Sequence, residues 1–137
     1  MIGYTLVGSN DLPRAQQFYD GLFGTLGIGT LMEFPNGGRA YGVDWSKPMF
    51  GIGPAYNGEP ATAGNGTMIA LVLDERDKVD TLYTKAIELG GTCEGGPGVR
   101  GEEGEQAFYA AYFPDLDGNK LCAFRVCLLY TSPSPRD

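Results

Sequence analysis

The chemistry available to this chain is limited first by a residue type that it lacks, since none of its 137 residues is histidine. Histidine is the commonest general base near neutral pH and the commonest ligand of transition metals. A reaction or a metal site would therefore have to use carboxylates, tyrosines, lysines or a thiol. The three cysteines, Cys93, Cys122 and Cys127, are widely spaced without a C-x-x-C pair, which predicts reduced thiols rather than a disulfide framework or a zinc knuckle.

One group of residues on adjacent predicted strands combines three functional side chains. Glu33, Arg39 and Tyr41 could present a carboxylate, a guanidinium and a phenol to a ligand. Glu33 is also a candidate general base, because a metal-free reaction in this chain would need a Glu or a Tyr in that role. The alternative interpretation is that all three are hydrophilic residues at the edge of a sheet.

The elements that must position these residues follow the order strand, helix, three strands. Residues 2–8 are β-branched and aromatic, as in a strand, and the polar run 9–11 with Pro13 predicts the start of a helix. Apolar residues then recur at helical spacing until the glycines within 24–29 end the pattern. Short apolar runs between turn residues predict three more strands, at 30–34, 39–45 and 49–52.

The same order returns after a linker rich in Gly, Pro, Ala and Asn at 54–66. An offset of 64 residues relates three pairs of positions: Tyr4 and Met68, Asp11 and Glu75, Tyr19 and Tyr83. This self-similarity predicts two copies of one module, at about 1–56 and 66–126, within a single domain that spans 1–126. The alternative is chance, because strand–helix units occur twice in many α+β chains.

Composition restricts the partners. The formal net charge of −7 argues against nucleic acid, which requires clustered Lys and Arg, and favours a neutral or cationic small molecule. The N-terminal segment has no basic region before a long apolar stretch, and no window approaches the roughly 18 apolar residues that a membrane span needs. We therefore expect a cytoplasmic protein that does not enter a membrane.

The C-terminal segment 127–137, C-L-L-Y-T-S-P-S-P-R-D, has no periodicity and does not continue the strand before it. It resembles the translation of a transposon-type sequencing adapter of the kind found at the ends of metagenomic reads. We interpret it as a non-native tail and leave it out of the functional argument.

Three stretches resemble the vicinal oxygen chelate superfamily, which contains glyoxalases, bleomycin-resistance proteins and extradiol dioxygenases. N-D-L-P-R-A-Q-Q-F-Y-D at 10–20 looks like its first helix, and F-P-D-L-D-G-N-K-L at 113–121 looks like its closing turn, with Leu116 replacing the usual proline. P-G-V-R at 97–100, followed by F-Y-A-A-Y at 108–112, resembles one subgroup. The resemblance implies an α+β fold of paired βαβββ modules whose mixed sheets curl into a cup.

The resemblance also indicates where the family's divalent metal would bind. Carried over position by position, its ligands fall on Tyr4, Met68, Cys122 and a fourth position near 50–52, which offers no carboxylate. A phenol, a thioether and an isolated thiol are poor ligands for the cations that this family uses. We therefore predict no metal and no other cofactor; a divalent metal would require a different set of ligands.

Strand parity predicts what lines the cup, because side chains two residues apart share one face. Tyr4 shares a face with Leu6, Met68 with Ala70, and Cys122 with Phe124. The predicted ligand-binding residues carry aromatic, soft apolar or hydrogen-bonding side chains. They are Tyr4, Met68, Cys122, Phe124, Arg39, Tyr41 and Tyr112. The alternative is that the apolar members fill a closed core.

Three functions remain open. The first is metal-free binding of a small, cationic or aromatic molecule in an apolar, aromatic-lined cup. The second is an enzyme, either a lyase, isomerase or dioxygenase with a displaced metal or a metal-free one, with Cys122 or Glu33 as candidate catalytic residues; it follows from the family resemblance alone. The third is a dimeric scaffold without a ligand. Because short members of the superfamily pair their modules across a two-fold axis, we expect a homodimer.

Overall fold

A computed structural model describes residues 1–104 and 106–127 of the chain. Two helices and eight strands appear in the predicted order: β1 (Tyr4–Gly8), α1 (Leu12–Gly24), β2 (Gly29–Glu33), β3 (Arg39–Gly42), β4 (Met49–Gly53), β5 (Met68–Val72), α2 (Arg76–Glu88), β6 (Gly95–Arg100), β7 (Ala107–Pro114) and β8 (Lys120–Cys127). The predicted tail lies outside the described residues, except for the end of β8. Within the described part, neither helix is long and apolar enough to cross a membrane.

The strands form two four-stranded mixed sheets with the same topology. The first sheet has the order β1-β4-β3-β2 and the second has the order β5-β8-β7-β6. In each, the first strand of the module pairs in parallel with the last, and the other pairs are antiparallel. The sheets do not close into a barrel, and the predicted α+β fold of two βαβββ modules is confirmed.

Local sequence signals start the two helices differently. In α1 the Asp11 carboxylate accepts a hydrogen bond of 3.2 Å from the backbone N–H of Arg14, and Pro13 occupies the first turn. In α2 the residue 64 positions after Asp11, Glu75, occupies the capping position but makes no side-chain capping bond. The neighbouring Asp74 instead forms an ion pair of 2.8 Å with Lys78.

Each helix packs on one face of its sheet and thereby gives the sheet two different sides. The helices bury their apolar stripes, including Phe18, Leu22, Val79 and Leu82, against alternate strand residues. We call this the helix side, and we call the opposite face of each sheet the cup face. Because strand residues alternate between the two sides, the helix side holds the core and the cup face is left for function.

Residues 115–119 form a tight turn that joins the second module to the first. Four hydrogen bonds cross between the modules: Tyr19 hydroxyl to Asp115, Asn10 backbone N–H to Asp117, Arg14 guanidinium to the Leu116 carbonyl, and Asn119 side-chain amide to the Gly8 carbonyl. Asp115 is buried, and within the turn it also accepts from the backbone N–H groups of Asp117 and Asn119. We call this set of contacts the turn clasp. It fixes the start of α1 against the start of β8.

The glycine-rich segment after α2 forms an edge strand of the second sheet. Gly95–Arg100 is an edge strand paired with β7, with a register shift between Gly95 and Gly98. The irregularity surrounds Pro97, which has no N–H to give to a ladder and is tolerated at sheet edges and bulges. Arg100 is therefore the last residue of an edge strand in the second sheet.

Candidate functional site

The positions at which the family's metal ligands were expected lie on the cup faces but carry unsuitable side chains. Tyr4 begins β1, Met68 begins β5, and Cys122 pairs with Ala70 across β5 and β8. The matching register in the first sheet pairs Leu6 with Gly51, so the counterpart of Cys122 is a glycine. A phenol, a thioether and one thiol do not fit a divalent metal, and the described residues contain no group of three or more His, Cys, Asp or Glu that could hold one.

Large apolar side chains occupy the cup faces instead. Tyr4 and Leu6 on β1 are 69% and 59% exposed, and Val72 on β5 is 72% exposed. Phe124 on β8 stacks on Phe108 of β7 with ring centroids 5.3 Å apart. Neighbouring large apolar side chains that are exposed on one face of a strand, such as Tyr4 and Leu6, are a feature of surfaces that bind a ligand or a partner.

Glycines keep the floor of the first cup face low. A Cβ built on Gly51 would lie 3.0 Å from Cδ1 of Leu6, and one on Gly42 would lie 2.8 Å from Cδ1 of Leu31. These distances are shorter than ordinary carbon contacts, so the two leucines rest directly on bare backbone. The first cup face is therefore apolar and shallow, with Tyr4 as its polar group on β1.

Glu33, Arg39 and Tyr41 come together, but on the helix side rather than in the cup. Arg39 donates to Glu33 at 2.8 Å and to both carboxylate oxygens of Asp20 in α1. Tyr41 is 2% exposed and donates to Asp20 at 2.7 Å. Burial and the hydrogen bond to Asp20 raise the pKa of Tyr41, and the bonds to Asp20 and Glu33 raise the pKa of Arg39.

The reason is that Tyr41 pairs with Phe50, whose ring packs against Tyr19 of α1. Strand parity then places Arg39 on the same side as Tyr41. The three residues thus connect α1 to the first sheet, which differs from the ligand-binding arrangement expected from the sequence. Tyr41 also contributes to a groove beside β5.

A groove of about 500 Å³ separates the first module from β5. Its apolar wall in the first module includes Phe23, Ile28 and Met49, and its other wall is the whole of β5. Both Tyr41 and Met68, two of the predicted ligand-binding residues, contribute to it. The groove is of the size and composition of small-molecule sites.

The second cup face contains a polar cluster around Tyr112. Tyr112 lies opposite Cys122 in the β7–β8 register, and Cys122 is completely buried beneath it. The guanidinium carbon of Arg100 is 5.4 Å from the centroid of the Tyr112 ring, and Nζ of Lys120 is 5.5 Å from it. Burial raises the pKa of the Cys122 thiol and outweighs the opposing hydrogen bond from Tyr112, so this thiol is poorly activated at neutral pH.

Arg100 and Lys120 were not among the residues predicted from the sequence. Lys120 had a usable signal, because it is two residues from Cys122 and must share its face. Arg100 had none, since its position depends on the register shift in β6.

The fold and the cup-face geometry together define a glyoxalase-type βαβββ protein, and comparisons with known proteins agree. The profile of the Glyoxalase/Bleomycin resistance protein/Dioxygenase superfamily matches residues 1–123, and the chain belongs to this superfamily. The crystal structure of a glyoxalase/bleomycin resistance protein from Albidiferax ferrireducens T118 is 39% identical, with a TM-score of 0.81 over 91% of this chain and 98% of that one.

Two further solved structures are similar at lower identity. A hypothetical protein from S. aureus is 25% identical, with a TM-score of 0.67 over 93% of each chain. A lactoylglutathione lyase from Agrobacterium tumefaciens is 18% identical, with a TM-score of 0.61 over 91% of this chain and 92% of that one, and this likeness concerns the fold alone. A search of curated proteins finds no match.

Proposed function

We propose that this protein binds a small organic molecule on its cup faces without the divalent metal of its superfamily. The observation that carries the proposal is the replacement of metal ligands by exposed apolar groups at the corresponding strands, Tyr4 with Leu6 on β1 and Met68 with Val72 on β5. Burying such surface contributes roughly 25 cal/mol per Å², so an apolar ligand body gains affinity here without a metal. The groove of about 500 Å³ shares Met68 and Val72 with this surface and adds apolar volume beside it, with Phe23 and Tyr41 of the helix side in its opposite wall.

The fluorescence of N-phenyl-1-naphthylamine, a neutral apolar probe, tests this proposal. We expect saturable binding to the wild-type protein and at least tenfold weaker binding to Val72→Asp, because the substitution places a charge in the apolar surface. Tyr56→Asp is the matched control, since Tyr56 is a fully exposed aromatic residue outside the strands. Equal affinity for both variants, or no saturable binding to the wild type, would contradict the proposal.

Metal content separates this function from the enzymatic alternative. We expect protein purified without chelator to contain less than stoichiometric divalent metal, and nickel, zinc, manganese, iron and magnesium to leave its melting temperature unchanged. The reason is that the four ligand positions hold Tyr4, Met68, Cys122 and Gly51, which offer a phenol, a thioether, a thiol and no side-chain ligand. Stoichiometric metal, or turnover of a hemithioacetal that stops on chelation, would instead establish a superfamily enzyme with a displaced metal site.

A second copy of the chain is the proposed macromolecular partner. Supporting this, β1 and β5 each lie at an edge of their sheet, and the exposed residues Leu6 and Val72 leave apolar surface beside both edges. Two-fold pairing would cover part of this surface and enclose the cups. Light scattering should give the mass of a dimer for the wild type and a monomer for Leu6→Asp; a wild-type monomer at micromolar concentration would refute the dimer.

A further inference from the structure

The distribution of ion pairs distinguishes a few cations from the rest. Nine Lys and Arg residues lie in the described part of the chain, and six of them form salt bridges. The other three, which have no ion-pair partner among the described residues, are Arg100, Lys120 and Arg125. In a chain with 17 acidic residues, cations without a carboxylate partner are exceptional and ask for an explanation.

Two of these three cations lie on the second cup face, each against the ring of Tyr112. Arg100 and Lys120 lie within 5.5 Å of the centroid of the same ring, that of Tyr112. Arg125 has the opposite parity in β8, where it pairs with Tyr109, and so lies on the helix side. The second cup face therefore holds two of the three cations that have no ion-pair partner among the described residues, and the helix side holds the third.

The position of the Arg100 guanidinium is built into the strand. Its Nη2 donates to the carbonyl of Gly96 at 2.7 Å, which fixes the side chain along β6 towards Tyr112. A Cβ on Gly95 would lie 3.1 Å from this nitrogen, and one on Gly98 would lie 3.4 Å from Nη1. The glycines of β6 thus leave the space that the guanidinium fills.

No carboxylate opposes this charge from the sheets. Among the described strands, Glu33 is the only acidic residue, and its carboxylate pairs with Arg39 on the helix side. The strands β6 and β8 thus bring two positive charges and no negative charge to the cup face beside Tyr112, even though the net charge of the chain is −7. These local cations favour an anionic group on the ligand, whereas the net charge of the whole chain alone would favour a cationic ligand.

Apolar residues adjoin the cations directly. The β5–β8 register sets Met68 beside Lys120, Ala70 beside Cys122 and Val72 beside Phe124. A ligand whose charged group contacts Lys120 would therefore extend its apolar part along β5. The paired residues of β5 and β8 therefore predict a ligand with a charged group at one end and an apolar part at the other.

We propose that Arg100 and Lys120, beside Tyr112, form an anion subsite that binds the oxyanion group of a small molecule, a carboxylate or phosphate, whose apolar part lies along β5. Guanidinium and ammonium groups are the usual partners of such oxyanions. This inference rests on the small-molecule function proposed above and adds the chemical class of the ligand.

A pair of probes with the same rings tests the subsite: 8-anilinonaphthalene-1-sulfonate, which is anionic, and N-phenyl-1-naphthylamine, which is neutral. The wild type should bind the sulfonate at least ten times more tightly. Arg100→Gln and Lys120→Gln should each weaken sulfonate binding by about tenfold to a hundredfold, the range for a lost hydrogen bond to a charged group. Both variants should change the affinity for the neutral probe less than twofold.

Arg125→Gln is the matched control, because it removes the third unpaired cation from the other side of the same strand. If it weakens sulfonate binding as much as Lys120→Gln, the effect is general electrostatics and the subsite is refuted. If both probes bind equally and neither Arg100→Gln nor Lys120→Gln separates them, the subsite is refuted while the apolar site stands. If the wild type binds neither probe, the proposed function fails and the subsite with it.

Discussion

Removal of the Tyr19 hydroxyl tests how strongly the turn clasp holds the two modules together. This hydroxyl donates to Oδ2 of Asp115 at 2.6 Å, and both residues are buried. The ring of Tyr19 also packs against Phe18, Phe23 and Phe50, so Tyr19→Phe keeps the packing and deletes one hydrogen bond. A hydrogen bond to a charged group is worth about 1.5–3 kcal/mol, and we expect the free energy of unfolding to fall by that amount.

Guanidinium unfolding followed by circular dichroism measures the change, which corresponds to a melting temperature lower by roughly 6–12 °C in a chain of this size. Tyr83→Phe is the control offered by the internal repeat, because Tyr83 lies 64 residues later in α2 and its hydroxyl lies near the exposed Cys93 rather than a buried carboxylate. We expect that variant to stay within about 0.5 kcal/mol of the wild type.

A double-mutant cycle with Asp115→Asn isolates the bond itself. Oδ1 of Asp115 accepts from two backbone N–H groups of the turn, and an asparagine can keep both with its remaining oxygen. Its amide nitrogen would then face both the Tyr19 hydroxyl and the Asn119 side-chain amide. The loss at Asn119 is present with and without the Tyr19 hydroxyl and cancels in the cycle, so the two substitutions should couple by about 1.5–3 kcal/mol. Additive effects, or a loss for Tyr19→Phe no larger than for Tyr83→Phe, would show that the clasp contributes little to stability.

Three further outcomes are expected. Burial raises the pKa of both Tyr19 and Tyr41, so the unfolded chain loses these protons at a lower pH than the folded chain. The free energy of unfolding should therefore fall as pH rises above about 10, and it should fall less steeply in Tyr41→Phe. A stability that does not change between pH 9 and 11 would disprove this. Mass-spectrometric mapping of iodoacetamide labelling at neutral pH should find Cys93 modified well before Cys122. Hydrogen bonds from Tyr83 and the Gly95 N–H lower the pKa of Cys93, whereas burial raises the pKa of Cys122. Fast labelling of Cys122 would restore it as a candidate nucleophile. Leu82→Ala in α2 should lower the free energy of unfolding by about 2–5 kcal/mol because Leu82 is fully buried. Ile87→Ala, on the exposed side of the same helix, should lower it by about 1 kcal/mol or less. Similar losses of unfolding free energy in the two variants would contradict this assignment of the core.

The sequence predicted the modules well because their signals are local. Apolar alternation marks β5, where exposure alternates from Met68 to Val72, and Asp11 followed by Pro13 marks the start of α1. The offset that relates Tyr4 to Met68 reappears as the first residues of β1 and β5. Each of these patterns depends only on neighbours along the chain.

The chemistry of the site depended on facts that no local pattern contains. Arg39 and Tyr41 face the helix because Tyr41 pairs with Phe50, and this register is a contact between strands. Arg100 reaches Tyr112 only because β6 shifts register between Gly95 and Gly98. Net charge carries no information of this kind either, since a sum over the chain does not record which cations are already paired.

The turn clasp also has a consequence for the order in which the chain can acquire its structure as it is made. Its hydrogen bonds join residues about 100 positions apart, such as Asn10 to Asp117 and Gly8 to Asn119. A ribosome releases the first module long before it has synthesised residues 115–119, so the Tyr19 hydroxyl waits without Asp115 through most of translation. The first module therefore reaches its final arrangement only when the closing turn of the second has emerged.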